Sequence, residues 1–163
     1  MKFCPECGNR LNLIEIISEG LIPKCENCNQ LYFPHSPACI IAIIKLNGKL
    51  LLIKQDYLGD KFCLVAGHIK ETATVEQTLE EEIFEEVGLS IKNFTYLGSF
   101  YHHNSKNLML GFFADCTGDV VLNDEVESYE LMGIASAMDA LKGRTAGWYF
   151  LNLAKDRGLL DDC

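Results

Sequence analysis

The sequence predicts a mixed α/β domain preceded by a small cysteine-rich module. Four of the eight cysteines fall in two tight pairs within the first 28 residues. From Ala38 onward the texture changes to β-branched runs of strand length, with one well-marked amphipathic helix set among them. At 163 residues there is room for one ordinary domain and a small appended unit. The expected boundaries are 1–34 for the module and 35–163 for the main domain.

The module comes first in the chain. Its pattern is Cys4-Pro-Glu-Cys7, seventeen residues, then Cys25-Glu-Asn-Cys28. Each CxxC can place two thiolates on one ion, and two of them complete a closed tetrahedron. The alternatives are a redox dithiol or two disulfides. No export signal follows Met1, so a metal reading fits better than disulfides. The expected occupant of Cys4, Cys7, Cys25 and Cys28 is a structural Zn²⁺. About 34 residues enclose too little core to hold themselves together, and metal binding supplies the missing free energy. Cys39, Cys63 and Cys116 sit in apolar strand contexts and read as small buried hydrophobes.

Residues 38–46 form the first long strand, and 49–55 the second. Asn47-Gly48 between them is a hairpin signal, because a type I′ turn needs positive φ at both central positions. Residues 62–66 read as a short strand ending at Gly67. The helix is expected over 74–87, with apolar Val75, Leu79, Ile83 and Val87 on one stripe. Thr74 is its N-cap, with Gln77 completing a capping box, and Gly88 its stop. Strands follow at 94–102, 108–115 and 129–134. Short helices at 135–141 and 148–157 close the chain.

The composition excludes some function classes. Net charge is −9, which argues against broad electrostatic binding to nucleic acid or to an anionic membrane. The module is no basic face either, since Glu6, Glu15, Glu19 and Glu26 oppose Lys2, Arg10 and Lys24. No apolar run approaches the ~20 residues that span a bilayer. A cytoplasmic protein is expected.

The helix is unusually acidic. Five of the seven residues from Glu80 to Glu86 are Glu, although like charges at i, i+4 destabilise a helix. At about 100° per residue, Glu82 and Glu86 border the apolar stripe and Glu85 lies one step further round. Such a cluster suits hard divalent cations, which take carboxylate oxygens and keep waters for substrate phosphates. A merely solvated acidic face is the alternative.

The wider stretch weighs against that alternative. Gly67, Glu82, Ile83, Glu85, Glu86, Gly88 and Leu89 match the box of the Nudix hydrolases at its spacing. With the four-cysteine module, Tyr32-Phe33-Pro34 and the Cys39-Ile-Ile-Ala-Ile strand, residues 1 to about 130 resemble the NADH pyrophosphatase-like branch of that family. The resemblance implies an α/β/α sandwich around a mixed sheet. It implies hydrolysis of a nucleoside diphosphate linked to another group, a dinucleotide or nucleotide sugar such as NADH, ADP-ribose or FAD. Mg²⁺ or Mn²⁺ would be held by Glu82, Glu85 and Glu86, by the backbone carbonyl of Gly67 and by Glu125. The general base would be a box Glu or a carboxylate on a later loop. A homodimer is also a family expectation.

The resemblance assigns substrate contacts to His68, where the branch has an aromatic that packs on a base, and to Ser99, the one match to the branch's signature after the box. Tyr101 is a further candidate for facing a nucleotide. His102 and His103 are adjacent, so in a strand they point to opposite faces and do not share an ion.

Two box positions depart from the family. Ala73 stands where the first box Glu is usual, and Glu81 where Arg is usual. An oppositely charged pair is thus absent, and Lys70 is the nearby cation that can offset the excess negative charge. These departures support a second reading, a catalytically weak nucleotide-binding or sensing module on the same fold. A third is a zinc-ribbon adaptor, or an enzyme of nucleotide-capped RNA, against which the acidic balance weighs.

Overall fold

Strand β4, Ala38–Leu46, is the axis of the main unit. In the computed structural model, which describes every residue except 57, 58 and 162, its side chains divide by parity. Ile40, Ala42, Ile44 and Leu46 enter one apolar core, while Ile41 and Ile43 enter another. A strand buried on both faces needs a near-continuous apolar run, which is why this segment lacks polar alternation. Asn47 and Gly48 turn the chain with φ of 51° and 72°, the left-handed pair of a type I′ hairpin. Strand β5, Lys49–Lys54, returns beside β4 with the same division, Leu51 and Ile53 against Leu50 and Leu52.

The remaining elements are β6 (Phe62–Cys63), β7 (Val65–His68), α1 (Val75–Val87), β8 (Ser90–His102), β9 (Asn107–Thr117), β10 (Ser128–Met132), α2 (Ile134–Ala140) and α3 (Thr145–Asp156). Among the described residues the sheet runs β10-β5-β4-β9-β8, with β6 added to β5 and β7 to β4. It is mixed: β4 and β9 are parallel, and the other pairs antiparallel. Helix α1 covers the first core through Leu79, Ile83 and Val87. Helices α2 and α3 cover the second through Ala137, Phe150, Leu151 and Ala154. The result is the expected α/β/α sandwich.

One edge of β4 is shared. Residues Cys39 to Ala42 pair with β7, and Ile44 to Leu46 pair with β5. The sheet therefore splits along that edge. The expected single strand over 62–66 is accordingly two: β6 follows β5, Leu64 breaks the ladder, and β7 crosses to β4. Gly67 lies inside β7 rather than at a strand end. Ile134 opens α2 instead of closing a strand, because Gly133 provides its N-cap. Helix α3 begins at Thr145, three residues before the position expected from its apolar spacing.

The chain divides into two compact units, Met1–Ser36 and Pro37–Cys163. The first contains a three-stranded antiparallel sheet of β1 (Asn12–Ile16), β2 (Gly20–Cys25) and β3 (Gln30–Leu31). Its core is small: Cys4, Leu11 and Cys25, with Tyr32 packed against them. Leu13, Ile17 and Leu21 remain exposed, so apolar burial alone supplies this unit with little stability. Among the described residues no helix is long and apolar enough to cross a membrane.

Candidate active site

Helix α1 carries the carboxylates, and its ends are well defined. The Thr74 side chain accepts from the Gln77 backbone N–H while the Gln77 side chain accepts from Thr74 N. Gly88, left-handed at φ 70°, closes the other end with its N–H on Phe84 O. Because the apolar stripe faces the sheet, the flanking Glu residues differ sharply in environment. Glu86 is 3% exposed, Glu82 is half-buried, and Glu85 is in solvent.

Glu82 rests against β7 at Gly67. A Cβ on Gly67 would overlap its carboxyl group, so a side chain there would displace the end of Glu82 from this position. This close approach sets the Glu82 carboxylate against the backbone at Gly67. Across the helix, Lys70 Nζ lies 3.4 Å from Glu81 Oε2 and 3.5 Å from Glu85 Oε1. The nearby cation expected from the sequence therefore spans the departing Glu81 and the box residue Glu85.

The buried end of the cluster is short of compensation. Glu86 Oε1 accepts from Gln55 Nε2 at 3.3 Å, while buried Oε2 has no hydrogen-bond partner among the described residues. Burial, then the negative charges of Glu82 and Glu125, push the Glu86 carboxyl up to about 8, against the Gln55 hydrogen bond. Glu82 is also raised, by burial first, with Lys70 opposing and Glu85 and Glu125 adding. A buried carboxylate oxygen without a donor is costly unless a cation or proton meets it. The residues fit a hard divalent cation: oxygen donors, an orphaned buried oxygen and a glycine cradle in one place. The carboxylates stand apart, since the thiolates are the only set of three or more ligating groups within 4.8 Å of one another among the described residues.

Glu125 lies on the loop before β10, near enough for its charge to raise Glu82 and Glu86. Val121 N–H bonds to Val87 O and Asn123 N–H to Glu86 O, which ties the loop to the end of α1. Asn123 Oδ1 then accepts from Glu125 N at 3.0 Å, and buried Val126 anchors the turn.

A cleft opens on the α3 side of the split sheet. One cavity of about 340 Å³ is lined by Gln55, Cys63, Leu64, Ala66, Arg144 and the start of α3. A second, of about 380 Å³, is lined by Gly67, His68, His102, Asn107 and Met109 among others. They share Ala66, His102 and Ala146, so they form one groove. His68 lies in it, with Nε2 3.4 Å from Asn107 Nδ2. Ser99 and Tyr101 line neither cavity. They alternate with Phe100 and His102, which face the α3 side, so they point to the other side of β8. Tyr101 packs edge-on against His103 at 5.0 Å instead. His102 bonds through Nδ1 to Ser105 Oγ at 2.8 Å and forms part of the groove wall.

Sequence reasoning missed Gln55, Arg144 and Asn107. Gln55 had a signal: it is a polar residue ending an apolar strand, and it is 5% exposed. Arg144 had none, since only the return of α3 brings it to Cys63. Burial pushes that thiol up to about 11, with Arg144 opposing.

In the first unit the sulfurs of Cys4, Cys7, Cys25 and Cys28 lie within 4.8 Å of one another. Tyr32 OH is 3.0 Å from Cys4 Sγ, and this contact lowers the Cys4 thiol to about 6, while the neighbouring sulfurs push Cys28 up to about 12. Four thiolates this close do not ionise together without a cation, and their softness and tetrahedral number fit zinc.

An acidic helix against a split mixed sheet defines a class, and sequence comparison names it. The chain matches the NUDIX domain family over residues 34–153 and belongs to that family. It is 30% identical over 128 residues to the NAD-capped RNA hydrolase NudC of Vibrio atlanticus, covering 78% of this chain and 46% of that protein. Against the NudC of Haemophilus influenzae it is 31% identical over 133 residues, covering 79% and 49%. The chain thus spans about half the length of these curated relatives. A NUDIX hydrolase from Nitrosomonas europaea superposes with TM-score 0.64 at 21% identity, covering 82% of this chain and 78% of the other. An ADP compounds hydrolase superposes with TM-score 0.65 at 16% identity, covering 96% and 89%.

Proposed function

We propose that the chain is a divalent-metal-dependent pyrophosphohydrolase whose substrate is a nucleoside diphosphate linked to a second group. The observation that carries this reading is Glu86, a buried carboxylate with one oxygen held by Gln55 and the other without a hydrogen-bond partner among the described residues. Glu82, Glu85, Glu86, Glu125 and the carbonyl of Gly67 would hold Mg²⁺ or Mn²⁺. When bound, the ion supplies Lewis-acid charge for the pyrophosphate oxygens and for the attacking water. The protein's own contribution is positioning and electrostatics. Gly67 lets Glu82 reach the backbone, Arg144 offers positive charge in the groove, and His68 offers a flat ring on its wall. One carboxylate of the cluster takes the proton from water as it attacks one phosphorus, and the other phosphate departs.

Names of the relatives support a substrate of the NAD type, joining two nucleotides through a diphosphate. NADH, ADP-ribose and FAD share that linkage. For the first unit we propose a structural Zn²⁺ on Cys4, Cys7, Cys25 and Cys28, which leaves no open coordination position for catalysis.

Ala73, Glu81 and the Lys70 bridge favour one other reading, a binding module that hydrolyses poorly. The two separate in a phosphate-release assay with phosphatase to convert nucleotide products. NADH, NAD, ADP-ribose, FAD and NAD-capped RNA are tested with Mg²⁺ or Mn²⁺ beside Glu85→Gln and Glu86→Gln. Metal-dependent turnover lost in the variants supports the hydrolase. Binding without turnover above the variants supports the sensor.

A further inference from the structure

Gln55 is the polar residue common to the groove and the carboxylate cluster. It leaves β5 directly after the buried run Leu50 to Ile53 and is itself 5% exposed. Its Nε2 donates to Glu86 Oε1 at 3.3 Å, and Cys63 Sγ donates to its Oε1 at 3.8 Å. The donor end of the amide thus faces Glu86. Gln55 also lines the groove with Arg144 and Cys63.

The chemistry of this contact differs from that at Glu85. There Lys70 brings a full positive charge, which competes with any cation for the carboxylate. A neutral amide fixes one oxygen of Glu86 and leaves the negative charge available. It also removes rotameric freedom from a side chain that must meet a small ion in strict octahedral geometry. The usual box Arg is replaced by Glu81, so the helix offers no cation of its own for this task.

We propose that Gln55 is a positioning residue for the carboxylate cluster: its amide holds Oε1 of Glu86 and presents Oε2 to a divalent cation. This inference rests on the metal-dependent reading above. It deepens that reading by locating the support of the site just past the end of β5, outside the box helix.

The test is a double-mutant cycle on Mn²⁺ affinity, read by electron paramagnetic resonance of free Mn²⁺ with the zinc-loaded full chain. Gln55→Met removes the amide at nearly constant shape. It is expected to weaken Mn²⁺ binding about tenfold, the usual loss when a supporting hydrogen bond to a ligand is removed. In a Glu86→Gln background the same change is expected to cost less than about twofold, because the group it acts through is gone. Gln55→Asn keeps the amide but withdraws it by one methylene and is expected to reproduce the loss, which covers the case that Gln55→Met does not fold. In turnover, both variants lower kcat at saturating substrate and leave KM unchanged.

Equal losses in both backgrounds, or wild-type Mn²⁺ affinity in both Gln55 variants, would overturn the proposal. The cycle needs no turnover, so a protein that binds Mn²⁺ through Gln55 and Glu86 yet hydrolyses nothing refutes the hydrolase reading alone. A wild-type chain that binds no Mn²⁺ refutes both.

Discussion

The carboxyl group of Glu82 occupies the space that a side chain at Gly67 would need. Fifteen residues separate the two in sequence, and the turn before α1 folds one onto the other. Gly67→Ala therefore has to push Glu82 off β7 or shift the strand. The overlapping atoms end a flexible, half-buried side chain that can swing aside, so we expect a stability loss of less than about 1 kcal/mol. Mn²⁺ affinity falls with it. Chemical denaturation and metal titration of one sample measure both, and an unchanged pair of values would disprove the close packing.

The pH dependence of the metal-free protein follows from Glu86. Its folded-state value of about 8 lies above the ordinary 4.5, so the folded chain holds a proton that the unfolded chain has released between those limits. Stability is therefore greatest below about 4.5 for this group and declines as pH rises toward 8. Glu86→Gln removes that decline and raises the melting temperature at pH 8 relative to wild type. Melting curves at pH 5 and pH 8 with a chelator of Mg²⁺ check the sign. Saturating Mg²⁺ raises the melting temperature of the wild-type protein at pH 8 by more than that of the variant, which binds the ion more weakly.

Lys70 is half exposed, as are its partners Glu81 and Glu85. Exposed pairs contribute little to stability. Lys70→Ala is expected to leave stability nearly unchanged, with any difference vanishing in about 1 M salt, where screening reaches a few ångströms. Removing a cation beside the cluster also tightens Mg²⁺ binding slightly. Weaker binding in the variant would mean that Lys70 orients Glu85 more than it repels the ion.

The cysteine unit responds to metal and not to nucleotide. Elemental analysis of the purified chain should find one zinc per protein. Strong chelation, or Cys25→Ser, is expected to expose residues 1–36 to proteolysis while the fragment from Pro37 onward stays resistant. The small core of Cys4, Leu11, Cys25 and Tyr32 has no other source of stability of comparable size. Resistance of residues 1–36 without metal would show that the ribbon holds itself together.

Apolar spacing was enough to read α1, its capping box and its glycine stop, because these signals lie within a few residues of one another. The Asn47-Gly48 hairpin and the both-faces burial of β4 were legible for the same reason. So was the gathering of four thiols, since CxxC spacing constrains geometry locally. Sequence also identified Glu82, Glu85 and Glu86 as a cluster on one side of a helix. It could not rank them: Glu86 is buried and Glu85 exposed only because the first apolar core lies against one edge of that face. The division of β4 between β5 and β7 decided where the sheet splits, and so where the groove opens. Side-chain alternation along β8 turned Ser99 and Tyr101 away from the groove, and the return of α3 brought Arg144 onto the wall that Gln55, 89 residues earlier, also lines. Contacts over such separations depend on which strand edges meet, and no local pattern of residues records that choice.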